Sequence, residues 1–307
     1  MARKGGDNEI RHRQYIHLKV PARFRFSESL AYLSRSPDEL LYEIDAQHVA
    51  RMVKLGAADL WLQVSSRSQD SLDLVFETAG PVAVGDVVQF VTEWLDLDRD
   101  LRPFYRMALT DELLSPLVKR FDGLRLVRIP DLFEGLCWAI IGQQINLGFA
   151  YTLKRRFVQS LGESRRVGNK NYWIFPEASR VAVSSVPFLR ALQFTEKKSE
   201  YILGIARDLV EGRFSKAALL QKSSDEALRT LTALRGVGPW TASYVAIRCL
   251  GDMTAYPVGD VGLQNAIKRQ QGLQTKPGLQ DLVMLGEGWR GWQAYATFYL
   301  WRSLHAD

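Results

Sequence analysis

Two glycines separated by one residue, with a proline directly after the second, constrain this chain more tightly than any other feature. They lie in the run Leu231-Thr-Ala-Leu-Arg-Gly-Val-Gly-Pro-Trp-Thr-Ala242. Upstream, Ser223-Ser-Asp-Glu226 has the spacing of a capping box, so a helix is expected to start there and to carry Leu228, Leu231 and Leu234 on one face. Gly236 can end that helix, because glycine enters the left-handed region without a Cβ clash. Gly238 leaves bare backbone ahead of the next helix, and Pro239 suits its first position. Two helices joined by such a hairpin present free N–H groups and a helix N-terminus, which bind an anion without any side chain. An ordinary helix corner with no ligand fits the same run.

The residues that follow bear on that choice. Trp240 and Tyr244 are four apart and so share one helix face. Such a pair fits core packing, and equally the wall of a pocket for a flat ring. Asp260 ends the run Thr254-Ala-Tyr-Pro-Val-Gly-Asp260 and precedes the helical run Val-Gly-Leu-Gln-Asn-Ala-Ile-Lys268. Its simplest role is an N-cap. A carboxylate about one helix length beyond an anion-binding hairpin is also placed to do chemistry.

The chain divides by texture. Before about residue 110, Leu60-Trp-Leu-Gln-Val64 and Leu72-Asp-Leu-Val-Phe76 alternate, and the turn Ala79-Gly-Pro81 follows, which predicts antiparallel strands. Val87 to Leu95 reads as a helix. Further helices are expected from Pro130-Asp131 to about Gly142, and from a cap at Asn146 to about Gly162. Arg165 to Phe175 reads as a polar loop with aromatics, before another helical stretch from Pro176. The expected fold is therefore α+β: an N-terminal antiparallel-sheet domain over residues 1–115, then a mainly α-helical core over residues 116–307. Met1 to Asp7 is short, polar and basic, and is expected to be a disordered start.

Composition fits a polyanionic partner. The 307 residues are enough for a sizeable core, and the formal net charge is +6. Lys154-Arg-Arg156, Arg165-Arg166 and Lys197-Lys198 are candidate contacts for that partner, each of which also fits a solvated face. Cys137 and Cys249 fall in apolar helical runs and read as buried thiols. Two cysteines cannot hold a four-cysteine iron–sulfur cluster, and no zinc spacing is present. The four histidines are scattered and receive no catalytic role. There is no signal-peptide pattern and no apolar run of membrane length, and the sparse cysteines suit a reducing cytoplasm.

Taken with two further blocks, the hairpin resembles the helix-hairpin-helix, Gly-Pro-Asp superfamily of DNA glycosylases, most nearly its alkylation-repair branch, DNA-3-methyladenine glycosylase II. Trp138-Ala-Ile-Ile-Gly-Gln-Gln-Ile-Asn-Leu147 is similar to the family's Ile-x-Gly-Gln-Gln-x-Ser block. Trp289-Arg-Gly-Trp-Gln-Ala-Tyr-Ala-Thr-Phe-Tyr-Leu-Trp301 is similar to its Trp-rich C-terminal helix. The likeness runs from about residue 125 to 302 and is weak over residues 15–110.

The resemblance implies a two-lobed helical core, with the hairpin element at about 224–250 and the active cleft between the lobes. It makes Asp260 the catalytic aspartate. Gly236, Gly238 and Thr241 would hold a phosphate 3′ to the lesion, and the carbonyls of Thr232, Leu234 and Val237 a monovalent cation, Na+ or K+. Trp240, Tyr244 and Trp292 would form the base pocket, and Gln144 would wedge into the duplex. The partner implied is double-stranded DNA with damaged bases, bound by a monomer that needs no cofactor, in the cytoplasm and, in a bacterium, at the nucleoid. Departures from the family pattern are Pro257-Val-Gly-Asp260 for two adjacent aspartates, Gly291 and Gln293 for proline and arginine, Gln144 for a leucine wedge, and Asn146 for serine.

A mechanism follows from charge. The target nucleotide must leave the stack before a carboxylate can reach it. Breaking the N-glycosidic bond builds positive charge on the sugar, which a carboxylate near C1′ stabilises while it orients or deprotonates water. Relatives resembling endonuclease III carry a lysine just before the hairpin threonine, and its amine attacks C1′. Here that position is Trp240, so a monofunctional enzyme with water as nucleophile is expected. Three other readings remain open from sequence: a glycosylase for deaminated or oxidised bases such as hypoxanthine, a bifunctional glycosylase/lyase, and a non-catalytic DNA-binding module.

Overall fold

The computed structural model describes residues 12–78 and 80–305. The expectation for Met1 to Asp7, and Ala79 of the expected turn, lie outside the described residues. In chain order the strands are β1 (His12–Lys19), β2 (Glu43–Ile44), β3 (His48–Leu55), β4 (Ala58–Ser65), β5 (Ser71–Thr78), β6 (Glu163–Val167) and β7 (Lys170–Ile174). The first helices are α1 (Phe26–Leu33), α2 (Val84–Trp94), α3 (Arg102–Thr110), α4 (Ser115–Arg120), α5 (Leu132–Gly142), α6 (Leu147–Leu161), α7 (Ala178–Ala182) and α8 (Val186–Ala191). Then come α9 (Glu196–Val210), α10 (Lys216–Leu220), α11 (Ser224–Thr232), α12 (Pro239–Val245), α13 (Val261–Gln271), α14 (Leu279–Gly288) and α15 (Gln293–Ser303). The α+β architecture read from the sequence is the one observed.

β1 to β5 form an antiparallel sheet in the order β1-β5-β4-β3-β2. The two alternating runs pair directly, Leu62 opposite Phe76 and Val64 opposite Leu74. Alternation decides the faces. Leu60, Leu62, Val64, Leu72, Leu74 and Phe76 enter one core, whereas Ala50, Met52 and Trp61 point the other way.

That first core is shared along the chain. Besides the sheet and α1 to α4 it takes in Leu263, Ala266 and Ile267 of α13, Trp289, and Phe298 and Leu300 of α15. A second core gathers α5, α6, α9, α11 and α12, including Leu136, Ile140, Phe157, Ile202, Leu231 and Val245. The caps follow the sequence. Asp131 accepts from the Glu134 N–H at 2.7 Å to start α5, and Asn146 accepts from the Phe149 N–H at 2.9 Å to start α6.

One segment departs from expectation. Residues 165–175 are not a loop but largely the β6–β7 hairpin, with Gly168 at φ +58° in its two-residue turn. Ile174 and Tyr172 pack against Met52, Ala50 and Trp61, so the hairpin covers the outer face of the large sheet. The Gly168-Asn169 pair between short runs was the available turn signal.

A buried ionic cluster joins the two bodies. Lys154 Nζ of α6 lies 2.9 Å from Glu39 Oε2 and 3.4 Å from Glu134 Oε1, and Arg51 of β3 reaches Glu134 at 3.7 Å.

Candidate active site

The hairpin is built largely as its sequence dictates, except that α11 ends at Thr232 with Ala233 as its C-cap, so Leu234 lies past the helix. Glu226 accepts from the Ser223 N–H at 3.0 Å, completing the capping box of α11. Gly236 has φ +89°, and a Cβ there would sit 2.2 Å from the Tyr201 ring, so both conformation and space demand glycine. Gly238 is the N-cap of α12, in open surroundings, with Pro239 at the first helical position. Among the described residues the N–H groups of Gly236, Gly238, Trp240 and Thr241 have no acceptor within the protein. These are the donors a phosphate would take.

Thr241 offers its backbone N–H to the hairpin surface and not its hydroxyl. Its side chain is buried, and its hydroxyl accepts from Gln143 Nε2 at 2.9 Å; the same amide donates to the Gly236 carbonyl at 2.9 Å. Gln143 therefore clamps the α5–α6 bend onto the hairpin. Its neighbour Gln144 has φ +55°, a left-handed conformation uncommon outside glycine, and is exposed at the cleft edge. The Thr232 and Val237 carbonyls accept no hydrogen bond among the described residues, and the Leu234 carbonyl accepts one, from the Val237 N–H at 3.0 Å. Lone pairs therefore remain on all three oxygens, a donor set that fits a monovalent cation.

Between the two cores lies a cleft of about 990 Å³. Asp260 stands in its wall as the N-cap of α13, with Oδ1 accepting from the Leu263 N–H at 2.5 Å. The cap role and the cleft position are thus combined in one residue. Trp240 Nε1 donates to Oδ2 at 2.6 Å and Trp301 Nε1 to Oδ1 at 2.8 Å. Indole N–H groups only donate, so two rigid donors fix the plane of the carboxylate. Tyr244 lies between the two indoles, 5.8 Å from each ring centroid. Gly262 keeps the approach clear, since a Cβ there would meet Asp260 Oδ1 at 3.0 Å.

Trp292 is not brought into the cleft. It packs on Phe104 at 5.8 Å and Tyr295 at 6.0 Å in the first core, and Trp301 takes the pocket position instead. The two are nine positions apart, Trp292 at the N-cap of α15 with φ −136° and Trp301 near the other end of the helix. Tyr32, Arg35 and Trp138 also line the cleft and were not singled out from sequence as pocket residues. Two of them come from the N-terminal domain, whose contribution no local motif announces.

Most cations of the basic patches are engaged within the fold, whereas Lys197 is exposed. Lys154 is buried in the ionic cluster, Arg155 pairs with Asp38 at 3.5 Å, and Arg156 bonds the Gln193 side chain. Arg165 pairs with Asp59 and Glu163 at 2.6 Å each. Lys198 is buried and caps the end of α5 through the Ile141 carbonyl at 2.8 Å; burial holds its pKa below the ordinary lysine value.

Comparison with known proteins agrees with this geometry. The HhH-GPD superfamily base excision DNA repair protein family matches residues 137–285, and the 8-oxoguanine DNA glycosylase N-terminal domain matches residues 21–136. A DNA-3-methyladenine glycosylase of Bacillus subtilis (strain 168) is 41% identical over 294 residues, 94% of this chain and 97% of the relative. DNA-3-methyladenine glycosylase 2 of Escherichia coli (strain K12) is 30% identical over 181 residues, 58% of this chain and 60% of the relative. The fold is also that of a 3-methyladenine DNA-glycosylase from Archaeoglobus fulgidus, with a TM-score of 0.78 at 23% identity, over 94% of this chain and 97% of that one. The chain belongs to the HhH-GPD superfamily of base excision DNA repair proteins.

Proposed function

We infer that this protein is a monofunctional DNA glycosylase that flips alkylated purines of the 3-methyladenine type out of duplex DNA and hydrolyses their N-glycosidic bond, leaving an abasic site. The observation that carries this reading is the Asp260 carboxylate, held by two indole N–H groups in the wall of an aromatic cleft beside a hairpin of free N–H donors. The 41% identity to a DNA-3-methyladenine glycosylase, over nearly the whole of both chains, supports the substrate class.

In this mechanism the Gly236 and Gly238 backbone and the Thr241 N–H hold a phosphate, and Gln144 fills the space the flipped nucleotide leaves. A Na+ or K+ held by the Thr232, Leu234 and Val237 carbonyls would add positive charge beside that phosphate. The base enters between Trp240, Tyr244 and Trp301, where a cationic purine over an aromatic face gains about 0.5–2 kcal/mol. Asp260 Oδ1 already receives two donors and Oδ2 one, so Oδ2 keeps the free lone pair. That oxygen faces the cation developing at C1′ and orients the water that attacks it. Among the described residues no lysine lines the cleft, which supports water rather than an amine as nucleophile. Borohydride trapping on lesion DNA is expected to give no covalent protein–DNA product. We place the protein in the cytoplasm, acting on DNA as a monomer.

The test is release of free 3-methyladenine and 7-methylguanine from methylated DNA, with Asp260→Asn alongside. The asparagine amide would set N–H₂ against an indole N–H as well as remove the charge. A rate loss of about 10²–10⁴ is expected. Equal release by parent and variant would end the reading.

A further inference from the structure

The side of α9 that meets the hairpin carries charges that the mechanism does not use. Tyr201 lies directly against Gly236, so close that a Cβ on the glycine would sit 2.2 Å from its ring. Lys197 and Glu200 precede Tyr201 by four and one residues, and Glu200 is three beyond Lys197, so the three cluster at one end of the helix. The neighbouring Lys198 reaches the Ile141 carbonyl at 2.8 Å, at the end of α5. Lys197 therefore stands near both the hairpin and the bend that carries Gln144. It is exposed, and among the described residues it has no acceptor and no carboxylate partner.

Arg235 reaches the same place from the hairpin itself. It directly precedes Gly236, and its side chain is 75% exposed. Its guanidinium carbon lies 5.8 Å from the Tyr201 ring centroid, and Nη2 donates to Glu200 Oε2 at 2.5 Å. Among the described residues Glu200 is its one hydrogen-bond acceptor. Arg235 also lines an open groove of about 390 Å³ with Ser184, Ser185 and Arg207, so the guanidinium has room to leave Glu200.

Charge decides what this pair can do. An exposed ion pair is screened by salt and contributes little, so it is easily exchanged. A phosphate offers the same guanidinium two oxygens in a bidentate geometry, and more negative charge. A duplex seated on the free N–H groups of the hairpin brings its backbone beside Arg235 and Lys197. Glu200 neutralises Arg235 in the free protein and repels that backbone.

We propose that Lys197 and Arg235 form a second phosphate-binding surface beside the hairpin, and that Glu200 is an acidic brake on it, competing with a DNA phosphate for Arg235. This rests on the reading of the hairpin as a phosphate-binding element. When a duplex docks, Arg235 exchanges Glu200 for a phosphate. Breaking the pair offsets part of the attraction, so DNA leaves more readily than the hairpin and the two cations alone would allow.

The test is the dissociation constant for a duplex carrying an abasic-site analogue, measured by fluorescence anisotropy over a range of salt concentrations. The proteins are the parent, Arg235→Gln, Lys197→Gln, Glu200→Gln and the double variant Glu200→Gln/Arg235→Gln. Arg235→Gln and Lys197→Gln are each expected to weaken binding and to flatten the slope of log affinity against log salt by about 0.9, the value of one phosphate contact. Glu200→Gln is expected to tighten binding about fivefold or more in the parent, but by less than about twofold when residue 235 is already glutamine. Parent affinity and slope in either cation variant overturn that cation's contact. An equal gain from Glu200→Gln in both backgrounds overturns the brake, because Glu200 then acts on DNA without Arg235. Each of these results leaves the hairpin reading standing. A parent whose affinity does not fall with salt holds no phosphate, and overturns the hairpin reading and this inference with it. Thermal melts establish that each variant is folded.

Discussion

Trp301→Phe isolates the hydrogen bond that most distinguishes this cleft from a simple aromatic slot. Phenylalanine keeps the apolar body beside Tyr244 but deletes the N–H that reaches Asp260 Oδ1 at 2.8 Å. The carboxylate then keeps the Leu263 N–H at 2.5 Å and the Trp240 N–H at 2.6 Å, so the cap of α13 survives and only one constraint on its plane is lost. A hydrogen bond to a charged acceptor contributes about 1.5–3 kcal/mol. If that is spent on holding Asp260 against C1′, base release under single-turnover conditions should slow by about 10–150-fold. Affinity for a duplex carrying an abasic-site analogue should change much less, because the hairpin proposed to hold a phosphate is untouched. The smaller ring leaves a gap at the joint of the two cores and lowers stability by about 1–2 kcal/mol, which a thermal melt measures separately. A variant that releases base at the parent rate would show that the indole N–H does not position the carboxylate. A loss of rate matched by an equal loss of DNA affinity would show that Trp301 acts by binding alone.

Other expected outcomes follow from single contacts. Gly236→Ala forces a methyl to 2.2 Å from the Tyr201 ring at φ +89°, so urea unfolding should show about 2–4 kcal/mol of lost stability together with weaker DNA binding. Glu39 is a case for pH: burial would raise its pKa, but the Lys154 charge and backbone N–H bonds outweigh burial and hold it below its ordinary value of 4.5. Its contribution to stability is therefore present above about pH 4.5 and is lost as pH falls through the lower folded value. Urea midpoints of the parent and Glu39→Gln should converge on acidification; a constant gap from pH 7 to pH 3.5 would contradict this. Arg156→Gln should leave the salt dependence of DNA binding unchanged, because Arg156 is engaged with Gln193; a flatter slope would place it on a phosphate. Residues 116–307 expressed alone should be insoluble, since α13 and α15 would lose the core they share with the sheet.

What the sequence made legible was local. The capping box, the Gly236 turn, Pro239 at the start of α12, and the caps at Asp131, Asn146 and Asp260 are each written within four residues, and each stands where it was expected. The two alternating strands were visible for the same reason. Partners distant in the chain were not. Lys154 looked like a surface cation because its carboxylate, Glu39, is 115 residues away. That Trp301 rather than the expected Trp292 lines the cleft depends on how α15 is seated against the first core, which no local pattern states. Arg35 and Tyr32 carry no signal at all, since they gain meaning only when α1 is packed against the cleft.

That packing explains what an N-terminal sheet does in a DNA repair protein whose hairpin and carboxylate both lie in the helical part. Asp260 is fixed by α13, which is seated in the first core with the sheet, while Trp240 and Tyr244 belong to α12 in the second. The Trp240 to Asp260 hydrogen bond therefore crosses from one body to the other. Its length is set by how those bodies meet, and the buried Lys154, Glu39, Glu134 and Arg51 cluster ties them at a second point. Charges in such a cluster are costly to bury and gain little net stability, but they tolerate few relative positions of the elements that carry them. In this fold the cluster restricts how the bodies meet, and so helps to hold the cleft, and with it the Asp260 carboxylate, at one width.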